Sequence, residues 1–211
     1  MDVPAAIIEV LYSGVDARFR PEREPGERRR ILNRYRVGEH PYVLSVSTLQ
    51  PRKNYVRLIQ AFATVGGEVR LVIAGGRGWL YEDIFAAAAK YGDRVRILGF
   101  VDDADLPALY RSAALFAFPS LYEGFGLPVL EAMACGVPVV CSNASSLPEV
   151  AGDAALLVDP FDVDGIADLM ARALRDRELA MDLVERGLAQ ASRFTWERSA
   201  RQLLAAIEAV G

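Results

Sequence analysis

Six apolar runs of strand length alternate with longer stretches of helical period, and this alternation restricts the chain to few architectures. The strand candidates are 42–47 (YVLSVS), 69–74 (VRLVIA), 95–98 (VRIL), 114–118 (ALFAF), 137–141 (VPVVC) and 154–158 (AALLV). Helical stretches lie between and after them at 54–65, 80–91, 103–112, 127–135, 163–174, 178–192 and 195–210. Strands that are nearly all apolar are covered on both faces, and right-handed crossovers then give an α/β, Rossmann-like, doubly wound parallel sheet with helices on both faces. At 211 residues and 52% hydrophobic, the chain has room for one large domain with a sizeable core, which excludes disordered and collagen-like classes.

Charge and composition remove several functions. The net charge of −4 supplies no field for nucleic acid, so no nucleic-acid partner is expected. Two cysteines, Cys135 and Cys141, in the apolar stretch EAMACGVPVVCS make no disulfide framework and read as reduced. A single histidine, His40, provides neither a zinc site nor a multi-histidine triad, and no metal is expected. The start, MDVPAAIIEVLYSG, lacks a basic leader region, and no apolar stretch reaches the length of about 18 residues that a membrane span needs, so a cytoplasmic chain is expected. Residues 1–39 form an entry segment: an apolar run at 5–12, a Pro-flanked turn, and the charged stretch GERRRILNRYR, a short helix. Its Arg28, Arg29, Arg30, Arg34 and Arg36, set beside Glu22, Glu24 and Glu27, read as a solvated helix face.

In a parallel α/β sheet, ligands bind beyond the carboxyl ends of the strands. After the first strand comes Thr48-Leu49-Gln50-Pro51-Arg52-Lys53-Asn54, whose adjacent cations suit a phosphate or diphosphate, the alternative being two exposed surface charges. After the second, Gly75-Gly76-Arg77-Gly78 fails the dinucleotide pattern because Tyr81 holds the last glycine position, so no nicotinamide or flavin is expected. After the third, main-chain groups of Gly99-Phe100-Val101-Asp102-Asp103 are placed to read the edge of a purine or pyrimidine, while Asp102 or Asp103 caps the next helix, a role that alone justifies both aspartates. The fourth loop, from Pro119 to Glu131, is the most informative. Its Gly124-Phe125-Gly126-Leu127 turn opens a helix and directs unpaired N–H groups outward as an anion site, with Pro128 in the first turn. Glu123 lies just before the turn, where a carboxylate accepts from sugar hydroxyls, and Glu131, amid apolar neighbours, needs a hydrogen-bonding partner such as the vicinal hydroxyls of a ribose. The alternatives are an exposed loop acid at Glu123 and a salt-bridged one at Glu131.

These motifs together resemble the C-terminal, donor-binding domain of a GT-B fold glycosyltransferase of family 4, over nearly all of the chain. The stretch from Glu123 to Glu131 is similar to the family's E-x7-E signature, STLQPRKN to its phosphate-binding loop, and SSLPEVAGDAALLVDP to its closing segment. The resemblance implies a retaining hexosyltransferase acting in polysaccharide or glycolipid synthesis, with a nucleotide-diphosphate sugar as donor and no metal. It implies that Arg52 and Lys53 hold the diphosphate and that Gly124, Phe125, Gly126 and Leu127 bind the distal phosphate. Glu123 then binds the transferred sugar, Glu131 the ribose, and main chain near Phe100 and Val101 the base. The PRKN form is similar to mannosyltransferases using GDP-mannose, a UDP-sugar being the second choice.

Two departures stand out. Many members carry an arginine where this chain has Ser47-Thr48, and members have a separate N-terminal domain that binds acceptor and supplies a catalytic histidine. His40 is a boundary residue and no substitute for it. The expected organisation is therefore an entry segment at 1–39, a nucleotide-sugar-binding domain at 40–193, and a C-terminal helix at 194–211 that packs toward the missing N-terminal domain, with this half inactive alone. The alternatives are a non-catalytic nucleotide-sugar-binding module, a sugar-nucleotide epimerase and a protein-interaction module. Peripheral attachment at the inner membrane face is common among such enzymes, but an acidic chain without a basic amphipathic helix lends it no support.

Overall fold

The computed structural model describes residues 8–209, so the first part of the 5–12 apolar run and the end of the 195–210 helix lie outside the described residues. Strands β1 (Tyr42–Val46), β2 (Arg70–Ala74), β3 (Val95–Gly99), β4 (Leu115–Phe118), β5 (Val139–Ser142) and β6 (Leu156–Val158) form one sheet in the order β3-β2-β1-β4-β5-β6. All pairings are parallel, as the apolar runs predict. The helices are α1 (Glu27–Arg34), α2 (Tyr55–Thr64), α3 (Glu82–Ala89), α4 (Leu106–Ser112), α5 (Leu127–Ala134), α6 (Leu147–Ala151), α7 (Val163–Arg175), α8 (Arg177–Ala191) and α9 (Trp196–Glu208).

Successive strand residues point to opposite faces, so each central strand feeds two cores. Val43, Leu71 and Leu115 pack with Leu58, Phe62, Ile84 and Met170 on the face of α2, α3 and α7. Their neighbours Leu44, Val72 and Phe116 pack with Ile31, Tyr110, Leu130 and Leu147 on the face of α1, α4, α5 and α6. Carboxylate and hydroxyl caps begin the last three helices: Asp162 accepts from the Gly165 N–H, Asp176 from that of Leu179 and Thr195 from that of Arg198.

The structure corrects some local expectations. Residues 147–151 form α6, whose five residues are too few to display a helical period. The charged helix is not wholly solvated. As α1 docks Ile31 and Leu32 into the core, Glu27 is carried inward to a buried ion pair with Arg111 of α4. Arg34 bridges Asp102 and Asp105, the latter at 2.6 Å, and Arg28 reaches Glu39 at 3.1 Å. Asp102 therefore serves Arg34, and neither it nor Asp103 caps α4; the N-cap position falls on Asp105, which makes no side-chain cap. Among the described residues no helix is long and apolar enough to cross a membrane.

Cys135 and Cys141 are free and buried, and burial pushes both thiols up to about 12. Neither has a populated thiolate at neutral pH. A thiol-reactive probe is thus expected to leave the folded chain unlabelled over hours and to label both sites in denaturant. Rapid labelling of the native protein, read by intact mass, contradicts this packing.

Candidate functional site

The sheet order reverses between β1 and β4. From β1 the chain continues to β2 on one side, and from β4 to β5 on the other, so the loops that follow these adjacent strands diverge and leave a crevice. The loop after β1 is fused to the loop after β2. Leu49 N–H donates to the Gly76 carbonyl at 2.9 Å, and Gly78 N–H donates to that of Leu49 at 3.0 Å. Gly75 admits no side chain, since a Cβ there would lie 1.8 Å from the Ser47 carbonyl oxygen. Gly75 and Gly78, where a Cβ would stand 2.7 Å from the Leu49 carbonyl oxygen, therefore serve the packing of the two loops.

Pro51 starts a single 3-10 turn, Pro51–Lys53, ended by Asn54 in the left-handed region at φ 61°. The Asn54 side-chain amide donates to the carbonyls of Pro119 at 2.9 Å and Pro160 at 2.6 Å, tying this loop to the ends of β4 and β6. The turn thereby delivers Arg52 and Lys53 to the loop after β4. Lys53, only 8% exposed, donates from Nζ to Glu123 Oε1 at 2.6 Å. Arg52 donates from Nη1 to Glu123 Oε2 at 3.2 Å and to the Tyr122 carbonyl. Burial draws the Lys53 pKa below the ordinary lysine value, and the Glu123 carboxylate partly restores it. Glu123 is 9% exposed, so it is not a solvated loop acid, and Lys53 is not a surface cation.

The loop after β4 is braced from α6. Glu123 N–H donates to Ser145 Oγ at 2.8 Å, and Ser146 Oγ lies 3.0 and 2.6 Å from the carbonyls of Glu123 and Phe125. Ser145 holds the left-handed conformation at φ 54° to make this approach. At the start of α5, Gly126 has φ 124°, and a Cβ on it would lie 2.7 Å from Leu147 Cδ2, so this turn requires glycine. The N–H groups of Phe125, Gly126 and Leu127 meet no protein acceptor among the described residues, and Pro128 has none to place. Those free N–H groups and the helix dipole make the turn attractive to an anion.

Glu131 lies in the second turn of α5. It does have a protein partner: Tyr110 OH donates to Oε2 at 2.8 Å. Burial raises the Glu131 pKa above the ordinary carboxylate value, with the Tyr110 hydrogen bond opposing the rise. Among the described residues Oε1 has no hydrogen-bond donor, which leaves one oxygen for a ligand. Phe100 and Val101 follow β3 at the same end of the sheet; Phe100 is 72% exposed and Val101 buried. Arg52, Lys53 and Glu123 thus meet directly, next to Gly124–Leu127, while no hydrogen bond joins Phe100, Val101 or Glu131 to that cluster. Sequence reasoning missed Asn54, Tyr110, Ser145 and Ser146 as the supports of the site. The two serines stood in the SSLPEV segment, but nothing local shows which loop they brace.

Residues 28–190 match the family of glycosyl transferases group 1, and the chain belongs to that family. Its fold is that of the C-terminal half of a GT-B enzyme, and it is homologous to mannosyltransferases. The O-antigen chain mannosyltransferase B of Escherichia coli is 46% identical over 189 residues, covering 86% of this chain and 49% of that protein. The GDP-mannose-dependent alpha-(1-6)-phosphatidylinositol monomannoside mannosyltransferase of Mycobacterium tuberculosis is 38% identical over 217 residues, covering 95% and 55%. The chain therefore spans about half the length of these relatives. The crystallised C-terminal domain of the group 1 protein LpcC from Francisella tularensis superposes with a TM-score of 0.72 at 23% identity, over 85% of this chain and 97% of that one.

Proposed function

We propose that the chain is the donor-binding half of a retaining glycosyltransferase that transfers a hexosyl group, mannosyl from GDP-mannose before any UDP-sugar, to an acceptor held by a separate N-terminal domain in polysaccharide or glycolipid synthesis. The observation that carries this reading is the Arg52–Lys53–Glu123 cluster beside the free N–H groups of the α5 N-terminus, at the reversal of strand order. Two of the relatives are mannosyltransferases, one of them GDP-mannose-dependent by name, which supports the donor.

On this reading Arg52 and Lys53 turn part of their hydrogen bonding from Glu123 to the diphosphate, and the Gly124–Leu127 turn takes the distal phosphate. Glu123 meets the transferred sugar, Glu131 Oε1 accepts from a ribose hydroxyl, and main chain at Phe100 and Val101 holds the base. When the anomeric C–O bond breaks, negative charge grows on the departing diphosphate. Fixed cations and N–H groups stabilise it there without reorganising. Residues 40–193 form the donor domain, and 194–211 lead toward the partner domain. In support, α9 leaves Trp196, Leu203, Leu204 and Ile207 exposed. The buried free thiols suit a cytoplasmic setting.

Calorimetric titration with GDP, UDP, ADP, GDP-mannose, UDP-glucose and UDP-N-acetylglucosamine tests the reading. Saturable binding to one base is expected, weakened about tenfold to a hundredfold in Arg52→Ala and Glu131→Ala, the scale of a lost charge-assisted hydrogen bond. Binding to none of the six overturns a donor site in this chain, and product formed from an acceptor by this chain alone overturns the half-enzyme.

A pH titration adds a second check. Ionised Glu131 accepts from Tyr110 OH on Oε2 and, on this reading, from a ribose hydroxyl on Oε1. A proton on the carboxyl removes one of these acceptors, and the raised pKa brings that loss into solution less acidic than an ordinary carboxylate requires. Nucleotide affinity of the wild type is expected to fall there more steeply than that of Glu131→Gln. Parallel pH profiles for the two proteins remove Glu131 from the ribose.

A further inference from the structure

We propose that Tyr12 and Phe194, from opposite ends of the chain, are positioning residues that set the aim of the phosphate-binding turn through the Phe125 ring. The proposal rests on the reading of Gly124–Leu127 as a phosphate site.

Phe125 lies in the middle of that turn, and its ring joins a three-ring cluster. Its ring centroid is 6.2 Å from that of Tyr12 and 5.8 Å from that of Phe194, and the Tyr12 and Phe194 centroids are 5.7 Å apart. The Phe194 pairs are edge-to-face, an arrangement that fixes ring orientation as well as contact. Both outer rings are themselves anchored. Val15 N–H donates to the Phe194 carbonyl at 2.9 Å, and Ser199 of α9 donates to that of Tyr12. A Cβ on Gly14 would lie 2.2 Å from the Trp196 nitrogen, so the entry segment is pressed against the start of α9. Tyr12 OH also donates to Glu149 of α6, the helix whose preceding serines hold the other side of the turn.

Phe125 is thus clamped between two braces, Ser146 on its carbonyl and the Tyr12–Phe194 pair on its ring. The N–H groups of Phe125, Gly126 and Leu127 have no acceptor among the described residues. The Phe125 carbonyl on Ser146 orients the Gly126 N–H, and the Gly126 carbonyl on Val129 N–H orients that of Leu127. The Gly124 carbonyl has no donor among the described residues, so the aim of the Phe125 N–H depends on its ring. Donors aimed at a phosphate are effective only when their supporting shell prevents rotation. Loosening the rings leaves the base and ribose contacts in place and blurs the N–H groups that meet the distal phosphate.

The experiment measures GDP and GMP affinities of the 211-residue chain and its variants by calorimetry, or UDP and UMP if the panel selects uracil. In Phe194→Leu and Tyr12→Leu the preference for diphosphate over monophosphate is expected to fall by about fivefold or more, as for misplaced binding groups generally. Tyr12→Phe, which keeps the ring, retains the preference. Ile166→Ala, a cavity in the opposite core, lowers the melting temperature and leaves the preference unchanged. If Phe194→Leu fails to fold, Tyr12→Leu in the half-buried entry segment carries the test. A wild-type preference that persists within a factor of about two in the folded leucine variants overturns the positioning role, since such a change is below what one lost contact gives. A wild type that binds GDP no more tightly than GMP overturns the reading of the turn as a phosphate site, and the positioning role with it.

Discussion

Lys53→Met is expected to bind nucleoside diphosphate at least about a hundredfold more weakly than the wild type, a larger loss than any other single change in the crevice. Three effects act in the same direction. The substitution removes a cation that is 8% exposed, where water screens little of its field. It leaves Glu123 with Arg52 alone at 3.2 Å, so an incompletely balanced carboxylate faces the incoming phosphates. It also preserves the bulk of the side chain, so the loss is one of charge rather than packing. Stability falls as well, by up to about 3 kcal/mol, because one partner of a buried ion pair is gone. The double variant Lys53→Met, Glu123→Gln separates the two consequences: it is expected to recover most of the stability and none of the affinity. Calorimetry that finds Lys53→Met within about threefold of wild type shows that the lysine only neutralises Glu123, since tenfold is the least a charge-assisted contact contributes.

Gly75→Ala is expected to cost about 3 kcal/mol or more, or to prevent folding. A methyl group there would stand 1.8 Å from the Ser47 carbonyl oxygen, and the residue has φ 153°. Ser47 cannot retreat, because its N–H is bonded to the Ala74 carbonyl and its own carbonyl accepts from Tyr55 OH. The clash therefore spreads to the Leu49–Gly78 contacts and to the turn that carries Arg52 and Lys53. Gly124→Ala is the matched control, since a Cβ there meets nothing within 4 Å and stability should be unchanged. Equal denaturation midpoints for the two variants contradict the tight junction.

Much of this fold is legible in sequence for a simple reason. Strands covered on both faces must be apolar on both, and 42–46, 70–74 and 115–118 announce themselves as such. The loops after them are legible because the sheet's geometry assigns them in advance to the ligand side. Pairings across long separations are not legible. Lys53 and Glu123 could be nominated singly, but their ion pair depends on how Asn54 ties its turn to Pro119 and Pro160. In sequence Glu131 looks like an acid that awaits ribose hydroxyls or a salt bridge, and its actual partner, Tyr110, buried in an apolar helix, looks like core. Glu27 looks solvated in sequence because its neighbours are charged, while its true neighbour, Arg111, comes from another helix. Asp102 has the sequence position of a cap and is drawn off by Arg34. Each miss is a tertiary contact overriding a sound local rule.

The reversal of strand order also bears on how the molecule assembles. Within each half of the sheet, neighbouring strands are joined by a single crossover, as in Leu44↔Val72 of β1 and β2. In the sheet itself the halves pair through Val43↔Leu115 and Leu44↔Phe116, a loop closure far longer than any other in the sheet. Long closures are entropically late, so this seam is the step that both halves await. Lys53 and Glu123 lie on opposite sides of it and come together only when it shuts. A ligand gripping both loops binds the joined sheet and not the separated halves, which lets occupancy act as a latch on the last seam to form.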